Sequence, residues 1–189
     1  FDKVITNTSQ GKRDTKAVSL DAGIDMDFFQ PSQLQWGLEH PIIGYSGRIS
    51  NEKNIDKIIK VSELIEGTTI IVGEGPAKEK LEEKAPEEVI FKDFLDRKKL
   101  PGYYSMLDVF VTASTGDTLG LSPLEANACG TPVVAPNIHP FDKTIENNSN
   151  GLLYELEQLN DFAKKIRKTL RKDWDTRPAV QRYSMQESI

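Results

Sequence analysis

Five short apolar runs punctuate the chain, and stretches with helical spacing lie between them. The runs are "PIIGYSG" (41–47), "TTIIVGEGP" (68–76), "EVIFKDF" (88–94), "DVFVTAS" (108–114) and "TPVVAP" (131–136). Each is too short for a buried helix, and four of the five end at glycine, proline or a small polar residue, so each reads as a buried strand. After the first run, "NEKNIDKIIKVSELIEG" sets Ile55, Ile58, Ile59, Ser62 and Ile65 on one face of a helix. "AKEKLEEKA" is a charged surface helix, "DRKKLPGYYSML" a short helix with an internal proline, and "SPLEANACG" a helix from about Ser122. "GLLYE" adds a small strand, and residues 159–170 form a basic amphipathic helix. Strands alternating with helices imply right-handed βαβ units. The expected fold class is therefore α/β, a doubly wound, mostly parallel, Rossmann-like sheet.

A chain of 189 residues suffices for one such domain with a full core. The net charge of −5, with no basic stretch dense enough to track phosphates, argues against a nucleic-acid platform. The single cysteine, Cys129, excludes an internal disulfide and fits a reducing compartment. No apolar run reaches transmembrane length and no signal-peptide pattern opens the chain, so a cytoplasmic setting is expected. The chain begins at Phe1, which reads as a piece of something longer.

In open parallel sheets, ligands bind outside the carboxyl ends of the strands. The segments that follow the five runs are "GRISNEK", "GEGP", "DFLDR", "STGDTLGLSP" and "APNIHP". Gly47, Gly73 and Gly75 let backbone approach a ligand, and Arg48 with Lys53 supplies the paired cations of this edge. The start of the helix near Ser122 offers free N–H groups and the positive end of its dipole. This combination suits a diphosphate. Read alone, Arg48 and Lys53 fit a solvated helix start equally well.

"STGDTLGLSPLEANACGTPVVAP" (114–136) carries most of the weight. It sets Asp117 ahead of an uncharged loop and Glu125, eight positions later, inside the following helix. A carboxylate at Glu125 can accept hydrogen bonds from a ribose diol. Amides near Gly120 and Leu121 can hold phosphate oxygens, and Asp117 reaches forward to whatever the diphosphate carries. Thr118 and Leu119 in the same loop, with Phe94 and Leu95 after the third run, complete the candidate set.

"GRISNEKN", "GEGP", "LPGYYSMLDVFVTAS", "GDTLGLSPLEANACGTPVVA" and "NGLLY" occur in this order over roughly residues 18–154. In that order they resemble the donor-binding half of the glycosyltransferase group 1 family, retaining enzymes with the two-domain GT-B fold. The resemblance implies a nucleotide-diphosphate sugar, UDP- or GDP-linked, as donor and a glycan or lipid-linked molecule as acceptor. It implies that Glu125 binds ribose hydroxyls, that Asp117 meets the transferred sugar, and that Arg48 and Lys53 neutralise the leaving diphosphate. No cofactor and no metal is implied. "AGIDMDFFQP" (22–31) resembles the segment that enters this domain, and "RYSMQESI" (182–189) the one that returns to a missing N-terminal domain. The expected division is then 1–37 entry segment, 38–170 donor-binding domain and 171–189 helical tail. The chain alone would be inactive. Competing readings are an epimerase-type GT-B enzyme and a nucleotide-binding module without chemistry.

Two departures accompany the resemblance. Asp117 stands where the family more often has Glu, and His139, Pro140 and Lys143 replace a glycine-rich loop that carries an acid. The latter is read as surface variation, with a reshaped sugar pocket as the alternative. Cys129 is read as a small core residue, and His40 and His139 lack companions at metal-ligand spacing. Trp36, Phe28 and Phe29 are expected to pack the entry segment. "KKIRKTLRK" (164–172) reads as the solvated face of a helix, with peripheral contact to an anionic membrane as the alternative.

Overall fold

The computed structural model describes residues 23–184. Its strands are β1 (Ile42–Ser46), β2 (Thr68–Val72), β3 (Val89–Lys92), β4 (Val109–Val111), β5 (Val133–Pro136) and β6 (Gly151–Tyr154). They form one sheet in the order β3-β2-β1-β4-β5-β6, with every adjacent pair parallel. This is the doubly wound order in which the chain starts centrally, winds to one edge, then returns and winds to the other. The run "GLLYE" is a full sixth strand, with all four residues of β6 buried.

Both faces of the sheet are covered, which explains why the strands read as continuous apolar runs rather than alternating ones. Successive residues serve opposite faces. Ile42, Ile70, Phe110 and Val133 join one core cluster, while Ile43, Ile71, Val109 and Val134 join the other. Helices α1 (Ile55–Ser62) and α6 (Leu159–Thr169) close the second face. The short α2 (Lys78–Glu82) buries no residue. Helices α3 (Leu100–Ser105) and α4 (Leu121–Ala128) close the first face, joined by α5 (Phe141–Thr144) and α7 (Arg177–Val180).

The helix expected over 51–67 is divided. Asn51–Lys53 form a 3-10 turn, Asn54 takes a left-handed conformation at φ 49°, and α1 begins only at Ile55. The Asn54 side chain donates to the Ala113 carbonyl (3.0 Å), so this residue tethers the loop after β1 to the end of β4. Ile65 lies beyond α1 but still packs against its cluster.

The flanking segments are built into the first face. Ile24, Met26 and Phe29 are buried there, with Phe28 and Trp36 packed beside them. The Arg177 guanidinium donates to the carbonyls of Met26 (2.6 Å), Phe29 (2.7 Å) and Ala128 (2.6 Å). The Ile24 amide donates to the Tyr183 carbonyl (2.8 Å). Residues 1–22 and 185–189, which belong to the expected entry segment and tail, lie outside the described residues.

Candidate functional site

β1 and β4 are neighbours at the point where the strand order reverses, and a cleft of about 300 Å³ opens beyond their carboxyl ends. Gly47, Arg48 and Lys53 line one side. Asp117, Thr118, Leu119, Gly120 and Leu121 line the other. Ser122 and Pro123 line the cleft at the expected helix start, while the floor, which sequence reasoning missed, comes from Tyr45, Ser46, Phe110 and Thr112. These are strand-end positions whose burial looks like ordinary core. Only their place at the switch point gives them away.

The two sides are braced together. The Thr115 amide donates to the Glu52 carbonyl (3.0 Å), alongside the Asn54 tether. Gly120 caps α4 at φ 63°, and no side chain satisfies the first-turn amides. Helix-start N–H groups have no intrahelical partner, so those of Leu121 and Ser122 remain available to an anion. Pro123 has none to offer, which suits the first turn.

The acids occupy different settings. Asp117 is half-buried and its carboxylate accepts from the Lys53 ammonium at 2.7 Å. The sequence assigns these two residues to separate parts of a donor, but the structure pairs them. Glu125 lies a turn deeper on α4, behind the cleft lining, where its Oε2 accepts from the Tyr104 hydroxyl (2.8 Å). Burial raises the Glu125 carboxyl above its ordinary range, while the Tyr104 bond and, more weakly, the Arg97 charge pull it down.

Other predicted residues fall outside the cleft. A Cβ on Gly73 would lie 1.9 Å from the Gly47 carbonyl oxygen, and one on Gly75 would lie 2.1 Å from that of Ile49. The close approach that these glycines permit is to the chain's own loop, and neither residue lines the cleft between β1 and β4. Phe94 is 74% exposed on the loop after β3, and Leu95 packs against the first-face core. The loop after β5 is more than surface variation. His139 and Lys143 do point outward, but Phe141 is buried, and its ring edge stands 2.8 Å from where a Gly120 Cβ would be.

Cys129 is buried in the core, its thiol pushed up to about 12 chiefly by that burial. Among the described residues, no cluster of three His, Cys, Asp or Glu is placed to hold a metal, and no helix is long and apolar enough to cross a membrane. The basic run is mostly exposed along α6, with Phe162, Ala163, Ile166 and Thr169 turned inward. Lys172 also stacks on Trp174 at 4.0 Å.

An all-parallel sheet in this order, with its cleft at the switch point, defines a Rossmann-like domain. The profile of the family described as glycosyl transferases group 1 matches residues 27–186. The chain belongs to that family. The sulfoquinovosyl transferase of Arabidopsis thaliana is 34% identical, over 88% of this chain and 35% of that protein. A structure of TarM from S. aureus, crystallised with UDP among its ligands, is 31% identical with a TM-score of 0.64, over 74% of this chain and 30% of that one. The C-terminal domain of a glycosyl transferase group 1 protein from Francisella tularensis has a TM-score of 0.75 at 25% identity, over 87% of this chain and all of that one. The chain spans just over a third of the length of the curated relatives it matches first.

Proposed function

We propose that this chain is the donor-binding domain of a retaining glycosyltransferase, holding a UDP- or GDP-linked sugar in the cleft between β1 and β4. The observation that carries the reading is the convergence of Arg48, Lys53 and the uncapped start of α4 on one cleft at the switch point. Two cations and two free amides match a diphosphate in charge and in hydrogen bonding. The UDP held by the TarM neighbour is consistent with this ligand class.

In this reading Glu125 accepts from the ribose hydroxyls and Asp117 faces the sugar. As the glycosidic bond breaks, negative charge grows on the departing diphosphate. Arg48, Lys53 and the amides of Leu121 and Ser122 are already positioned for that charge and need no reorganisation. Lys53 would exchange or share Asp117 when phosphate enters. The acceptor, a glycan or lipid-linked molecule, would approach from a partner domain, so these residues alone bind donor without transferring it. The 38–170 domain, with its flanking segments, is the unit that does so.

Isothermal titration of UDP, GDP and the parent nucleosides tests the reading. Charge-assisted bonds contribute about 1.5–3 kcal/mol each. Arg48→Ala and Lys53→Ala should therefore each weaken the diphosphate roughly tenfold or more and leave the nucleoside unchanged. Equal losses for both ligands, or none for either, would remove the diphosphate from this cleft.

A further inference from the structure

Two consecutive tyrosines on α3 are fully buried, yet their hydroxyls have different partners. Tyr103 donates to the Tyr45 backbone carbonyl at 2.7 Å, the ordinary way for a core tyrosine to satisfy its hydroxyl. The Tyr104 hydroxyl reaches no carbonyl. It lies 2.8 Å from Glu125 Oε2 and 2.8 Å from the Ser46 hydroxyl. A phenol has one proton, and a carboxylate can only accept it. The proton therefore goes to Glu125, and Ser46 must donate to the phenol oxygen.

We propose that Tyr104 and Ser46 are positioning residues for the donor: a hydrogen-bonded line runs from the cleft floor through Tyr104 and fixes which oxygen of Glu125 faces the ribose. The inference rests on the donor-site reading above. Ser46 lines the cleft directly, so the line links the strand beneath the diphosphate to the acid behind it. Phe29, Tyr103 and Phe110 surround the Tyr104 ring, with centroids 6.1, 5.6 and 5.7 Å away, and they leave it no freedom to swing. With Oε2 committed to the phenol, Oε1 is left for the ligand. A freely rotating carboxylate would lose that preorganisation on binding.

The charged and titratable groups around Glu125 are Tyr104 on α3, Arg97 in the 3-10 turn before it, and Cys129 on the next turn past α4. Of these, the Tyr104 bond contributes most to holding the carboxyl down against burial. Loss of the phenol proton moves the carboxyl further up, and a carboxylate that must be ionised to receive ribose hydroxyls then needs a higher pH.

Tyr104→Phe, Ser46→Ala and the control Tyr103→Phe separate this role from packing. Carboxyl-carbon NMR titration of the ligand-free 189-residue chain should place the Glu125 midpoint higher in Tyr104→Phe than in wild type, and unmoved in Tyr103→Phe. The affinity for UDP or GDP, followed against pH, should fall by roughly tenfold in Tyr104→Phe at neutral pH. Its midpoint should move up with the carboxyl, whereas the 2′,3′-dideoxy analogues should bind both proteins alike. Ser46→Ala should show the same pattern more weakly. An unmoved Glu125 midpoint, or equal losses for the dideoxy ligands, overturns the inference. If the wild type binds no nucleoside diphosphate, the donor-site reading falls first and takes the inference with it.

Discussion

The loops after β2 and β4 look alike in sequence, each a glycine-bearing turn leading from a parallel strand to a helix, but they serve different ends. After β2, Gly73 and Gly75 press against the backbone of the loop after β1, and the space a side chain would need is filled by Gly47 and Ile49. After β4, Gly120 turns the chain at a left-handed angle and leaves the helix start open onto the cleft. One loop spends its glycines on rigidity and the other on access. A Gly-x-Gly pattern reports only that backbone comes close to something, and whether that something is protein or ligand is decided by the neighbouring strand.

Three substitutions can break or sharpen this contrast. Gly73→Ala should have the largest effect. Its φ is 148°, and its Cβ would collide with the Gly47 carbonyl. Strain and overpacking together should lower stability by about 2–5 kcal/mol, and the melting temperature by roughly 5–20 °C. A variant that melts with the wild type would mean the loop after β2 is not braced in this way.

Gly120→Ala should be milder for the fold and harsher for the ligand. The left-handed angle costs a Cβ residue about 1–2 kcal/mol, and the added methyl must push aside the Phe141 ring edge. Thermal melting should show the smaller loss of the two glycine variants, while UDP or GDP titration shows the larger loss of affinity. The reverse ranking would exchange the roles of the two loops.

Asp117→Asn should have the smallest effect. It removes the partner of Lys53 but keeps the side chain's shape and a neutral acceptor. Affinity for plain UDP should stay within about twofold, because Lys53 remains free to meet phosphate. The best-bound UDP-sugar of a panel should weaken by about threefold, the scale of one neutral hydrogen bond. Equal losses for UDP and UDP-sugar would move Asp117 from the sugar to the nucleotide.

Much of the fold was legible because both faces of the sheet are buried. Strands such as "TTIIV" and "DVFV" then have no solvent side and stand out as unbroken apolar runs. The break at Asn54 was not, since nothing local distinguishes an asparagine that donates across 59 positions to Ala113 from one inside a helix. Within the site, Arg48, Lys53, Asp117 and Gly120 follow strand ends and are readable by position. Ser46, Tyr45 and Tyr104 belong to the core by composition, and only tertiary contact gives them partners at the cleft. The Lys53–Asp117 pair joins residues 64 positions apart and follows from the β1–β4 adjacency, which a sequence cannot display.

Arg177, itself on the C-terminal flank, holds the N-terminal flank and the end of α4 in one hand, through three carbonyls on two separate stretches of chain. Mechanically this makes a bracket. A push or twist arriving through residues near Ile24 or Ser184, which bridge each other, is delivered to the base of the helix that carries Glu125.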